Sequence, residues 1–210
     1  MLTLIINICL AVLPALFFMY LLSRTGISVS RLYKPLLIGY LFVLPAAGIE
    51  YLLVKVFSGT SGTLRLLVSS FIIAALTEEF FKYLPIRLIS RKFEKPREII
   101  EVSVLTGLGF ALFENLNYVL ESSETIMLRS VTAVPLHGMC AAIIGFGVAL
   151  KGIRPKTGHL FYFLIAIVFH GVYDLALFSF SGVSYLVLPA LLLQFFIVRR
   201  LYLTSCRYST

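Results

Sequence analysis

Charge is scarce in this chain. Asp, Glu, Lys and Arg make up 13% of its 210 residues, hydrophobic residues make up 60%, and the mean hydropathy is +0.98. A soluble domain carries about 25% charged residues, so a water-exposed surface could not be covered and a soluble globular fold is excluded. The first 23 residues contain no charged side chain. A signal peptide would open on a basic stretch and close on a small-residue cleavage site. Neither is present, so the first segment is expected to be a retained helix. Only Cys9, Cys140 and Cys206 carry thiols. An odd number at wide spacing suggests neither a disulfide framework nor a CxxC metal site. No internal repeat and no low-complexity tract occurs. No basic surface is interleaved with aromatics, so the net charge of +8 does not signal nucleic acid.

What is present is a series of long apolar runs. About 20 apolar residues are needed to cross the hydrocarbon core as a helix. That length places spans at Leu2–Leu22, Leu36–Val56, Leu64–Ile89, Glu98–Leu120, Leu128–Leu150, Leu160–Phe180 and Tyr185–Leu203. The expected fold is all-α: a polytopic membrane helix bundle of about seven transmembrane helices, a single membrane domain over residues 1–210 with its motif-bearing core near 64–180. The connections Ser58–Gly62, Glu121–Thr125 and Ser181–Ser184 are short and turn-like.

Lys and Arg set the orientation. Arg24, Arg31, Lys34, Arg87, Arg91, Lys92, Lys95, Arg97, Lys151, Arg154, Lys156, Arg199, Arg200 and Arg207 fall on one side. The other side holds Lys55, Arg65 and Arg129. The basic side is expected to be cytoplasmic, with the N-terminus outside and the C-terminus inside. Glu50, near the outer end of the second span, is expected at the interface. The ridges Gly138-x-x-x-Ala142 and Ala141-x-x-x-Gly145 predict close helix packing.

A few ionisable residues interrupt the spans: Glu78, Glu79 and Lys82 in the third, Glu114 in the fourth, His137 in the fifth, and His170 with Asp174 in the sixth. Each charge at mid-bilayer costs roughly 2.5–3.5 kcal/mol, and such residues mark functional sites. Lys82 is three and four residues from the two glutamates, and His170 is four from Asp174, so each set shares a helix face. The carboxylates outnumber the single ammonium, an imbalance a low-dielectric interior does not accept without protons or a cation. Two imidazoles and a carboxylate suit zinc, with an open position for water. Zinc-bound water beside a carboxylate base is equipment for amide hydrolysis. Depths agree loosely, since Glu78 falls deeper toward the cytoplasm than Glu114. A tilt, a later start of the third span or a kink at Pro135 would reconcile them.

Taken together, Glu78-Glu79-x-x-Lys82, Phe110-x-x-x-Glu114 with Asn115 and Tyr118, His137, and His170-x-x-x-Asp174 resemble the PrsW family of intramembrane proteases, relatives of the type II CAAX prenyl endopeptidases. The motifs occur in family order from Thr77 to Asp174. The resemblance implies a membrane metalloendopeptidase of the bacterial cytoplasmic membrane. It implies Glu78, Glu79 and Lys82 as catalytic residues, and a divalent metal, zinc by preference, at Glu114, His137, His170 and Asp174. It implies Phe110, Asn115 and Tyr118 as lining for a membrane protein substrate. The family's named role is site-1 cleavage of an anti-sigma factor. Glu114 stands where the prenyl endopeptidases have histidine. The residues alone leave two other readings open: a metal-free carboxylate protease, or a transporter using the cluster as an ion site.

Overall fold

The computed structural model describes residues 1–24, 29–120, 123–150, 158–179 and 183–209. These are helical, with no strand among the described residues. In chain order the α-helices are α1 (Leu2–Ser23), α2 (Val29–Val56), α3 (Gly62–Leu67), α4 (Thr77–Ser90), α5 (Pro96–Asn117), α6 (Ser123–Leu150), α7 (Gly158–Phe178) and α8 (Val187–Arg207). A π-helical segment, Val68–Leu76, joins α3 to α4, and short 3₁₀ turns follow α5 and precede α8. α1, α2, α5, α6, α7 and α8 are each long and apolar enough to cross a membrane. The seventh expected span is a composite: α3, the π segment and α4 run without a break over residues 62–90. Of the turn-like connections, Glu121, Ser122, Ser181 and Gly182 lie outside the described residues, as do Lys151, Arg154 and Lys156.

The elements begin and end where local chemistry dictates. Gly62 opens α3 at φ +56°, a conformation that suits a residue without Cβ. α5 starts on Pro96, whose missing N–H would be unpaired in a first turn anyway. This is two residues earlier than hydropathy suggested. The π segment was not expected, since Val-Ser-Ser-Phe-Ile-Ile-Ala-Ala-Leu contains neither Pro nor Gly.

α5 and α6 form the centre. In their most apolar stretches 72% and 78% of residues are buried, against 17% for α1 and α2 and 11% for α8. The peripheral helices turn large apolar side chains such as Phe17, Leu52, Leu188 and Phe196 outward. A membrane supplies the solvent that this surface needs. The centre is dense because small residues let backbones meet. A Cβ on Gly109 would strike the carbonyl of Leu36, one on Gly39 the carbonyl of Thr106, and one on Gly107 the carbonyl of His137. Of the two ridges, Gly145 is in such a crossing, against Ser103, while Gly138 has ordinary room beside Leu108. Polar staples hold the outer helices: Asn7 donates to the Val119 carbonyl at 2.9 Å, and Ser130 donates to that of Leu10 at 2.5 Å.

Candidate active site

The π segment ends at Leu76, and the acidic pair opens α4. A π-turn holds more residues than an α-turn, which shortens the climb to Glu78 and brings it level with the histidines. Consecutive residues of a helix point about 100° apart, so the two glutamates part company. Glu78 lines a cavity of about 570 Å³ enclosed by α2, the π segment, α4, α5, α6 and α7. Glu79, with no exposed surface, turns away behind the cavity wall.

Lys82 is also wholly buried, and its ammonium has a partner for each of three protons. Its Nζ lies 2.7 Å from Glu79 Oε1, 2.6 Å from His137 Nδ1 and 3.5 Å from Glu78 Oε2. The Phe110 ring also packs beside it, with its centroid 4.6 Å away. Glu79 Oε1 also receives the Nδ1–H of His170 at 2.6 Å. That bond fixes the tautomer of His170 and leaves Nε2 with a lone pair. Nε2 sits 3.6 Å from Glu78 Oε2 and 3.4 Å from Asp174 Oδ2.

The other imidazole stands nearly perpendicular to this one, with ring centroids 5.1 Å apart at 86°. His137 Nε2 lies 3.1 Å from Glu114 Oε2, and its Nδ1 is 3.7 Å from Glu78 Oε2. A charged Lys82 can only donate, so His137 Nδ1 then accepts and its proton sits on Nε2, facing Glu114. A neutral Lys82 reverses this and frees Nε2 as a lone pair.

Of the residues named from sequence, Glu78, Phe110, Glu114, Tyr118, His137, His170 and Asp174 line the one cavity. Glu79, Lys82 and Asn115 are fully buried behind it. Two residues join them that sequence placed elsewhere. Glu50, expected at the interface, lines the cavity from α2, and Arg129, grouped with the outer basic residues, lines it from α6. Position near the end of an apolar run does not distinguish a headgroup from a wet cavity. One signal for Glu50 was present: Gly39, Val43, Ala46 and Glu50 recur at spacings of four, three and four. They therefore share the face that packs on α5.

The donors fit a divalent metal. One carboxylate oxygen of Glu78 and one nitrogen of each histidine lie within 4.8 Å of one another. Mixed imidazole and carboxylate ligands suit zinc. Asp174 Oδ2 is buried without a hydrogen-bond donor, and the Glu79–His170 pair is the kind of outer-sphere contact that would orient an imidazole toward a metal. The cluster holds the carboxylates of Glu50, Glu78, Glu79, Glu114 and Asp174 against the cations of Lys82 and Arg129. The deficit of positive charge inferred from sequence therefore persists in three dimensions.

The cavity thus has room for many waters or a stretch of peptide inside a membrane bundle, and acids and imidazoles stand in its wall. No solved structure matches the chain. Known sequences do. Protease PrsW of Oceanobacillus iheyensis is 28% identical over 192 residues, covering 88% of this chain and 87% of its own. Protease PrsW of Clostridioides difficile is 32% identical, covering 70% and 67%, and that of Geobacillus kaustophilus is 32% identical, covering 66% and 63%. Residues 28–200 match the family described as PrsW family intramembrane metalloprotease. That match takes in every motif residue from Glu78 to Asp174, and the chain belongs to the PrsW family, a family of multi-pass membrane proteases.

Proposed function

We propose that the chain hydrolyses peptide bonds of a membrane-associated protein, with Glu78 as the base that takes a proton from the attacking water. The observation that carries this reading is the His170 imidazole. It is pinned through Nδ1–H to a buried carboxylate, and its free Nε2 stands 3.6 Å from Glu78 in the wall of the cavity. Glu79 and Lys82 act as positioning residues, holding His170 and His137 from behind. Glu78 faces the open space, so it can accept the proton and deliver it to the leaving amine. His137 and His170, with an oxygen of Glu114 or Asp174 beside them, are the residues that would hold a divalent ion, in our reading zinc, and Glu78, although its oxygen also lies near both imidazoles, is left to the water. When bound, such an ion supplies Lewis-acid polarisation of the scissile carbonyl. Phe110 and Tyr118 offer aromatic surface to the substrate. A membrane-bound anti-sigma factor, the bacterial cytoplasmic membrane and an outward N-terminus complete the reading.

One contact favours a second reading without a metal. Lys82 Nζ at 2.6 Å from His137 Nδ1 places the histidine's proton on Nε2 when the lysine is charged. His137 and Glu114 then form an acid–base pair. Metal analysis separates the two. The first reading expects about one equivalent of divalent ion per purified chain, lost with cleavage in His137→Ala and His170→Ala. Protein stripped of metal that cleaves at the full rate in chelator would establish the second.

A further inference from the structure

Arg129 sits on α6 and turns inward, between α6 and the last turn of α5. Its Nη2 is 2.9 Å from Glu114 Oε2, and its Nε donates to Asn115 Oδ1 at 3.1 Å. Its guanidinium carbon stands 4.0 Å over the Tyr118 ring. The same Glu114 Oε2 is 3.1 Å from His137 Nε2. One carboxylate oxygen is therefore shared between the arginine and the imidazole.

We propose that Arg129 is a positioning residue of the active site, and that Glu114, Asn115 and Tyr118 are its receptacle. The inference rests on the proteolytic reading above. Arg129 fixes Glu114 at the distance and direction from which it orients His137. This accounts for the Asn115 of the motif, which substrate lining does not explain. Asn115 is fully buried and does not line the cavity. Its oxygen would be an orphaned acceptor without the guanidinium. A planar fork can serve successive residues on one helix while its face rests on an aromatic ring. A lysine, a point charge, cannot do all three.

The test compares wild type with Arg129→Gln, Arg129→Lys, Glu114→Gln and the Arg129→Gln/Glu114→Gln pair. Each is purified in detergent and its folding verified by thermal melting. Expected is a fall in kcat of about 10- to 100-fold for Arg129→Gln, with KM little changed and partial recovery in Arg129→Lys. The double variant should be no slower than Glu114→Gln, because the arginine acts through that carboxylate. Losses that multiply in the double variant would overturn the proposal. So would an Arg129→Gln protein that melts earlier but keeps its kcat per folded molecule, since that describes a plain staple between helices. Histidine ¹⁵N resonances give a readout independent of cleavage. Those of His137 should shift in Arg129→Gln and move back toward wild type in Arg129→Lys, while those of His170 stay. A wild-type protein that cleaves nothing but shows these shifts would defeat the proteolytic reading alone. Unmoved His137 resonances would defeat the role of Arg129 alone.

Discussion

Glu78 and Glu79 are chemically identical and adjacent, yet the fold gives them separate surroundings: Glu78 lines the cavity and Glu79 does not. Glu79 binds a lysine and a histidine with no exposed surface of its own. Breaking a buried ion pair by removing one partner costs about 3–5 kcal/mol. Glu79→Gln is therefore expected to lower the melting temperature clearly and to reduce cleavage as well, because Lys82 and His170 both lose their anchor. A Glu79→Gln protein with wild-type melting would contradict this division. Most of the cluster was legible in the sequence, because lipid penalises a charge inside an apolar run unless the fold encloses it. Arg129 was not, and Glu50 only through its spacing from Gly39, Val43 and Ala46. Each lies near a span end, where hydropathy does not say which face of the helix a side chain takes. Arg129 in particular reads as a loop anchor until Glu114 and Asn115 are seen to meet it.

At the scale of the element, the site depends on how closely helices approach. Gly39 and Gly109 each press on the backbone of the opposite helix, so α2 and α5 meet without side chains between them. Overpacking such a contact costs about 1–3 kcal/mol. Gly109→Ala is expected to lower the melting temperature and, by pushing α2 away, to displace Glu50 from the cavity. An unchanged melting temperature would mean that α2 is free to give. The small-residue signal was readable on α6, where Gly145 serves a close crossing, but Gly107 and Gly109 escaped notice. The π segment could not have been read at all. Its composition suits an ordinary α-helix, and the wider turn accompanies close packing against α7. A Cβ on Gly171 of α7, for example, would meet the Phe71 ring.

Over the whole molecule, the helices were the most legible part, because length and apolarity decide whether a segment spans. The third span departs furthest from a single α-helix, being built in three pieces with the acidic pair near the start of the last. Beyond the histidines, the cavity walls include Glu50, Asn117, Thr125, Leu128 and Phe178. These lie near the C-terminal ends of α2, α5 and α7 and the N-terminal end of α6. That end is poor in Lys and Arg, so the proposed orientation has the cavity open outward. Asn117→Cys, in a protein whose Cys9, Cys140 and Cys206 have been replaced, should react with a membrane-impermeant thiol reagent added to intact cells. Reaction only in inverted vesicles would reverse the topology.

The central claim is that a water-activating carboxylate and two imidazoles meet in one cavity inside the membrane. Its most direct test is the cleavage rate of Glu78→Gln in proteoliposomes holding a membrane-protein substrate, with melting measured on the same preparation. The account predicts a rate lowered by about 100- to 10,000-fold at a melting temperature close to wild type. A Glu78→Gln protein that cleaves at the wild-type rate would contradict it.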